Sequence, residues 1–210
     1  MIKEIKFSET LSLWKTEFDT TNISKLVQIG EDHIDSLPHV TNDGYTYYID
    51  VINTDGLFDR KVNSELDEIL NFSINSCINL FNKSYNTLST DNWVNLVRCK
   101  NQKQKLFDNK GELIFHKHTE LNRAIDLPEP TFTYVSYLQI QDNLSNNDGV
   151  LLLKDIDGSI YEYLPSVGDC IIMDGDTPHV PNHALNSTKD RIVLAGNVRL
   201  EMIKKEKTLF

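Results

Sequence analysis

The chain has no CxxC pair, and its three cysteines, Cys77, Cys99 and Cys170, are widely spaced and odd in number. A disulfide framework and a thiolate zinc site are both disfavoured, and this usage suits a reduced, cytoplasmic chain. There is no apolar run of transmembrane length. The opening MIKEIKF lacks an apolar core followed by a small-residue cleavage site, so no secretory signal is read there. Basic charge is scarce: 21 Lys and Arg stand against 31 Asp and Glu, a net charge of -10. A surface of that sign repels a phosphate backbone and argues against broad nucleic-acid binding. The small basic run in the C-terminal MIKKEKTLF reads as solvated tail. Internal repeats and low-complexity linkers are absent as well.

What is present is ordinary for a globular chain: 210 residues, 40% hydrophobic and 25% charged, enough for one well-buried domain over 1–210. The N-terminal part, 1–90, reads as mostly helical support. IKEIKFSETLSLWKTEF opens with a strand and carries Leu11, Leu13 and Trp14 towards the core. Ser24 to Gly30 looks helical, with Gly30 as its end. The clearest helix follows, where Leu66, Ile69, Leu70, Ile74, Cys77, Ile78 and Phe81 repeat at three-and-four spacing. Ser64 suits its N-cap, with Asp67 three residues on.

Beyond about residue 90 the pattern changes. NWVNLVRC, GELIFHKH, FTYVSYLQI, GVLLLKD, SIYEYL, GDCIIMD and RIVLAGNVRL are short strand-like runs with Gly, Asn, Asp or Pro between them. About seven such strands predict a β-sandwich or barrel, most simply a jelly roll over 91–203. Helices first and strands second makes the fold class α+β, with helices on one sheet and the other sheet lining a cavity. Asp148-Gly149 and Asp157-Gly158 read as turns, and DNLSNNDG as a loop.

Within GELIFHKHTE, His116, His118 and Glu120 alternate, so a strand would turn all three to one face. His179 follows GDCIIMD after the turn DGDTP, and Arg191 opens the next strand. The residue types have a shared chemistry. Iron(II) for oxygen chemistry takes two imidazoles and one carboxylate on one triangular face, leaving positions open. A bidentate 2-oxo acid fits there, and a planar, always charged arginine is the partner for the far carboxylate of 2-oxoglutarate. Taken singly, each residue has a plainer role: a surface histidine, a surface ion pair for Arg191, core packing for Tyr137. His183 reads as a loop histidine, and His33 and His39 as surface or helix-end residues.

Three segments carry a resemblance. NWVN at Asn92 to Asn95, HKH with the downstream YVSYLQI at Tyr134 to Ile140, and GDCIIMDGDTPHVPN with DRIVLAGNV resemble the 2-oxoglutarate- and iron(II)-dependent oxygenases of the double-stranded β-helix fold. More narrowly they are similar to the short bacteriophage and marine bacterial members related to prolyl hydroxylases. The resemblance covers roughly the C-terminal half, and its last segment is the most specific. It implies a dioxygenase using Fe(II) and 2-oxoglutarate, with ascorbate as an accessory reductant. Hydroxylation of a protein or small molecule is the default outcome, in a cytoplasm (that of a host, if phage-encoded). His179 matches the distal iron ligand, Arg191 the arginine for the far carboxylate, and Tyr137 a tyrosine that helps hold it. Asn95 is a further residue facing the cofactor.

The chain departs from the usual H-x-D motif. His118-Thr119-Glu120 is an H-x-E form, and His116-Lys117-His118 is an H-x-H form. Two ligand sets follow: His118, Glu120 and His179, or His116, His118 and His179. The first is preferred, because a carboxylate brings the site closer to neutral. In the second, Glu120 accepts a hydrogen bond from a ligating imidazole. A non-catalytic jelly-roll binding module and a cupin-like metal protein are the competing classes. Neither has a use for the arginine.

Overall fold

Three strands with apolar side chains on both faces form the middle of the fold, because a layer covers each face. The computed structural model describes residues 1–33, 46–50, 64–80, 85–97, 113–118, 131–144, 148–182, 184 and 187–202; for 33, 46–50, 85–89, 91–97 and 201–202 it describes the backbone alone. In chain order the elements are β1 (Lys3–Lys6), β2 (Ser12–Glu17), α1 (Ile23–His33), β3 (Thr46–Asp50), α2 (Ser64–Asn79), β4 (Tyr85–Val97), β5 (Thr131–Gln139), β6 (Leu151–Lys154), β7 (Ile160–Tyr163), β8 (Asp169–Asp174), β9 (His179–Pro181) and β10 (Arg191–Met202). They build a seven-stranded antiparallel sheet, β1-β2-β8-β5-β10-β4-β3, and a three-stranded antiparallel sheet, β7-β6-β9.

The two-residue period of the central strands divides the core. Phe132, Tyr134 and Leu138 of β5, Cys170 and Ile172 of β8, and Ile192, Leu194, Val198 and Leu200 of β10 pack under the helices. The helices supply Ile23 and Leu26 of α1 and Leu66, Ile69, Leu70 and Cys77 of α2. Tyr137, Ile171, Met173 and Val193 point the other way and meet Leu151 and Leu153 of β6 between the sheets. Each fully buried leucine or isoleucine contributes about 1.5–3 kcal/mol, so this two-sided burial pins the strand register: a one-residue slip would exchange the two cores. The helical layer also holds a polar contact, Ser73 to Ser136 at 2.8 Å, which satisfies two hydroxyls buried among apolar neighbours.

The large sheet with helices on one face and a small sheet on the other agrees with the α+β expectation. The region read as mostly helical support, 1–90, holds both described helices, and strands besides. That region adds β1 and β2 beside β8, and β3 and the start of β4 at the opposite edge. Gly30 does not end α1, which runs on to His33. A glycine inside a helix costs about 1 kcal/mol, and packing of Leu26, Val27 and Ile29 on the core outweighs it. Phe81 lies outside the described residues. The turn expectations agree with the backbone: Gly149 and Gly158 both have positive φ, 74° and 92°. Among the described residues no helix is long and apolar enough to cross a membrane.

Candidate metal and co-substrate site

Residues 113–118 do not form the regular strand that their alternation predicts. Its described part reaches the small sheet through one isolated bridge, His116 to His179, with paired backbone hydrogen bonds of 3.1 and 3.0 Å. His118 N–H donates to the carbonyl of Gly175 at 3.1 Å, in the turn that leads from β8 to β9. Leu113 and Phe115 pack on Val150, Leu152 and Val180, on the outer face of the small sheet. Alternation then turns His116 and His118 to the opposite face, where His118 is half-buried and His116 exposed.

The result is a cluster of three imidazoles. One ring nitrogen from each of His116, His118 and His179 lies within 4.8 Å of the others. His118 Nε2 and His179 Nε2 are 3.2 Å apart. His179 is buried, and its Nδ1 is 2.9 Å from the carbonyl of Thr177. A carbonyl only accepts, so Nδ1 carries the proton and Nε2 keeps its lone pair facing the cluster. Burial, reinforced by His116, brings His179 down to about 3. Burial, with help from His116, brings His118 down to about 4, and burial lowers His116 as well. All three are therefore neutral at pH 7, the form that ligates a metal.

The cluster opens on a cavity of about 110 Å³ between the sheets, walled by Val135, Leu151, Pro181, Val193 and Ala195 and by Thr133. Arg191 and Tyr137 line the same cavity, and both are buried. Burial pushes the Tyr137 hydroxyl up to about 12 against the opposing pull of Arg191, so it stays protonated and able to donate. Nearby Asp169, buried on β8, is bound by Lys15 Nζ at 2.7 Å, by the Tyr163 hydroxyl at 2.7 Å and by Ser166 N–H at 2.9 Å. Those donors compensate its charge. No Asp or Glu is among the described residues that line the cavity.

The structure thus brings together five of the sequence-derived residues: His116, His118, His179, Tyr137 and Arg191. Glu120 and His183 lie outside the described residues. Asn95 pairs with Val193 in the sheet. His33 is the last residue of α1. Sequence reading passed over Thr133, Val135, Val193 and Ala195, although each lies two or four residues from Tyr137 or Arg191 on a period-two strand. Thr177, whose carbonyl orients His179, left no signal, since any residue supplies a carbonyl.

No protein-family model and no curated protein sequence matches the chain. Solved structures do. A prolyl-4-hydroxylase from Pseudomonas putida aligns with a TM-score of 0.50 at 14% identity, over 89% of this chain and 91% of that one. A prolyl hydroxylase from Trichoplax adhaerens, in complex with a hypoxia inducible factor oxygen degradation domain peptide fragment, aligns with a TM-score of 0.54 at 11% identity, over 88% and 83%. At these identities the likeness is one of fold.

Proposed function

We propose that this chain is an iron(II)- and 2-oxoglutarate-dependent dioxygenase that hydroxylates a side chain of a protein or a small molecule. Its two sheets are then those of a double-stranded β-helix. The observation that carries the reading is the opening of three neutral imidazoles onto the one cavity that Arg191 and Tyr137 also line. The donor set fits a divalent first-row metal, since imidazole nitrogens suit iron, zinc and copper. Sequence likeness does not add to this. The fold shared with prolyl hydroxylases supports it, and a peptide-bound example makes a protein substrate the first class to test.

In this reading His116, His118 and His179 hold the metal, and Thr177 holds His179 in its ligating tautomer. Glu120 replaces His116 in the competing set. Arg191 receives the far carboxylate of 2-oxoglutarate, Tyr137 donates a second hydrogen bond to it, and Asn95, the sheet partner of Val193, is a further co-substrate residue. Val135, Val193, Ala195 and Leu151 exclude water from the cavity, which strengthens each of those interactions. When bound, iron with 2-oxoglutarate and dioxygen supplies the oxidising power to hydroxylate an unactivated C–H bond, releasing succinate and carbon dioxide.

The test is spectroscopic. Iron(II) is added to the anaerobic protein, then 2-oxoglutarate, and the visible region is followed for a charge-transfer band. A band supports a chelated 2-oxo acid on iron. Iron binding without the band overturns the co-substrate and favours a cupin-like metal protein. With no iron bound, a jelly-roll binding module is the better reading.

A further inference from the structure

The inner face of β10 is polar at both ends. Arg191 opens it, Val193 and Ala195 follow, and Asn197 and Arg199 close it. Arg191, Asn197 and Arg199 are buried, at 4%, 5% and 9% exposure. Eight residue steps along the strand separate the two arginines, about 26 Å at roughly 3.3 Å per step.

The backbone says which end belongs to the histidines. Arg199 lies opposite Thr131, the first residue of β5. The Thr131 carbonyl accepts from Gly175 N–H at 2.8 Å, and the Gly175 carbonyl accepts from His118 N–H at 3.1 Å. Thr131, the sheet partner of Arg199, is thus two backbone hydrogen bonds from His118, while Arg191 stands beyond the Val193–Tyr137 pair at the other end of β10. Between them the Thr133 hydroxyl donates to Asn197 Oδ1 at 3.0 Å, and Thr133 lines the cavity. The co-substrate assignment uses Arg191 and Tyr137 and leaves Thr133, Asn197 and Arg199 without a task.

A guanidinium is a costly way to fill the end of a barrel, because burial strips its hydration. An apolar side chain of similar length would fill the space at less cost. Arginine also has five N–H donors in a fixed fork, so a contact it already makes leaves donors to spare. Its best complement is a carboxylate, taken side-on by two parallel hydrogen bonds. In a chain of net charge -10, this is a local cationic spot at the Thr131 end of the inner sheet face.

We propose that Thr133, Asn197 and Arg199 form the wall that binds the primary substrate, and that this substrate carries a carboxylate, received by Arg199. That carboxylate belongs to an acidic side chain of a peptide or to a small carboxylic acid. The inference rests on the oxygenase reading for what happens to the substrate, but not for the binding itself.

The test uses the isotopically labelled full chain with zinc(II) as a redox-inert ion and saturating 2-oxoglutarate, so that Arg191 is occupied. Two probe pairs are titrated and followed by amide chemical shifts. One pair is a capped Ala-Ala-Glu-Ala-Ala peptide and its Gln counterpart; the other is 3-phenylpropionate and its amide. The acid of one pair is expected to bind about tenfold more tightly than its amide, and the pair that discriminates more assigns the source. Arg199→Met should bring the acid to the level of the amide and leave 2-oxoglutarate affinity unchanged, with Arg199→Lys intermediate. Equal behaviour of acid and amide in the natural protein, including no binding of either, overturns the proposal without any variant. So does an acid preference that Arg199→Met leaves intact. Should acid preference appear while 2-oxoglutarate fails to bind, the oxygenase reading falls and the carboxylate site stands.

Discussion

Replacing Arg191 by methionine keeps most of the side-chain volume and removes the charge at one end of the cavity. Arg191 is buried and lines the space that the three histidines also reach. Truncating one partner of a buried, hydrogen-bonded charge pair costs about 2–5 kcal/mol of binding, a loss of roughly 30- to 5,000-fold in 2-oxoglutarate affinity. Tyr137→Phe removes a single neutral donor, worth about 0.5–1.5 kcal/mol, so it should weaken the same ligand only about two- to tenfold. Metal affinity should be unchanged in both variants, because neither side chain belongs to the imidazole cluster. Calorimetric titration of 2-oxoglutarate into the zinc-loaded variants reads the two affinities in one format. An unchanged Kd in Arg191→Met, or a larger loss in Tyr137→Phe than in Arg191→Met, would refute the assignment of the carboxylate to this end of the barrel.

The ligand sets separate by a pair of variants: His116→Ala should lower metal affinity by at least about tenfold with Glu120→Gln near the natural value, and the reverse order would hand the third position to Glu120. His179→Ala belongs to both sets, and unchanged metal affinity in that variant would move the ligand elsewhere. The metal-free protein should lose stability as pH falls from about 6.5 towards 4, because His179 at about 3 and His118 at about 4 stay neutral in the folded state while the unfolded chain takes up their protons near 6.5. Thermal melts across that range check it; the loss should shrink in His179→Gln, and a flat profile would argue against buried neutral imidazoles. Gly168→Ala should destabilise the fold by about 1–3 kcal/mol: its φ is +92°, and an added Cβ would stand 2.8 Å from Thr20 Cγ2. A melting temperature equal to that of the natural protein would show that the β7–β8 turn adapts.

Much of the candidate site could be read from the chain itself because its parts are local. HKH carries its geometry in its spacing: two residues apart, His116 and His118 turn the same way in extended backbone whether or not a regular strand forms. FTYVSYLQI, GDCIIMD and RIVLAGNVRL announce strands buried on both faces, and in all three the structure has the expected element. Arg191 at the head of the last run was visible as an arginine with a place to point. The α2 stripe was legible for the same reason, since an amphipathic helix writes its buried face into a 3.6-residue period.

What the tertiary structure decided is which distant segments meet. His116 finds His179 through a single antiparallel bridge between residues 63 positions apart (179 − 116); nothing local to either residue encodes that pairing. The order β1-β2-β8 joins the N-terminus to a strand far along the chain, where sequence reading had mainly a helical support. The two ends of β10 acquire different meanings only because Thr131, Gly175 and His118 are linked backbone to backbone at one of them. Side-chain period is a property of one strand and survives in the sequence. Partnership between strands is chosen by the burial of both faces at once, and only the folded chain contains that choice.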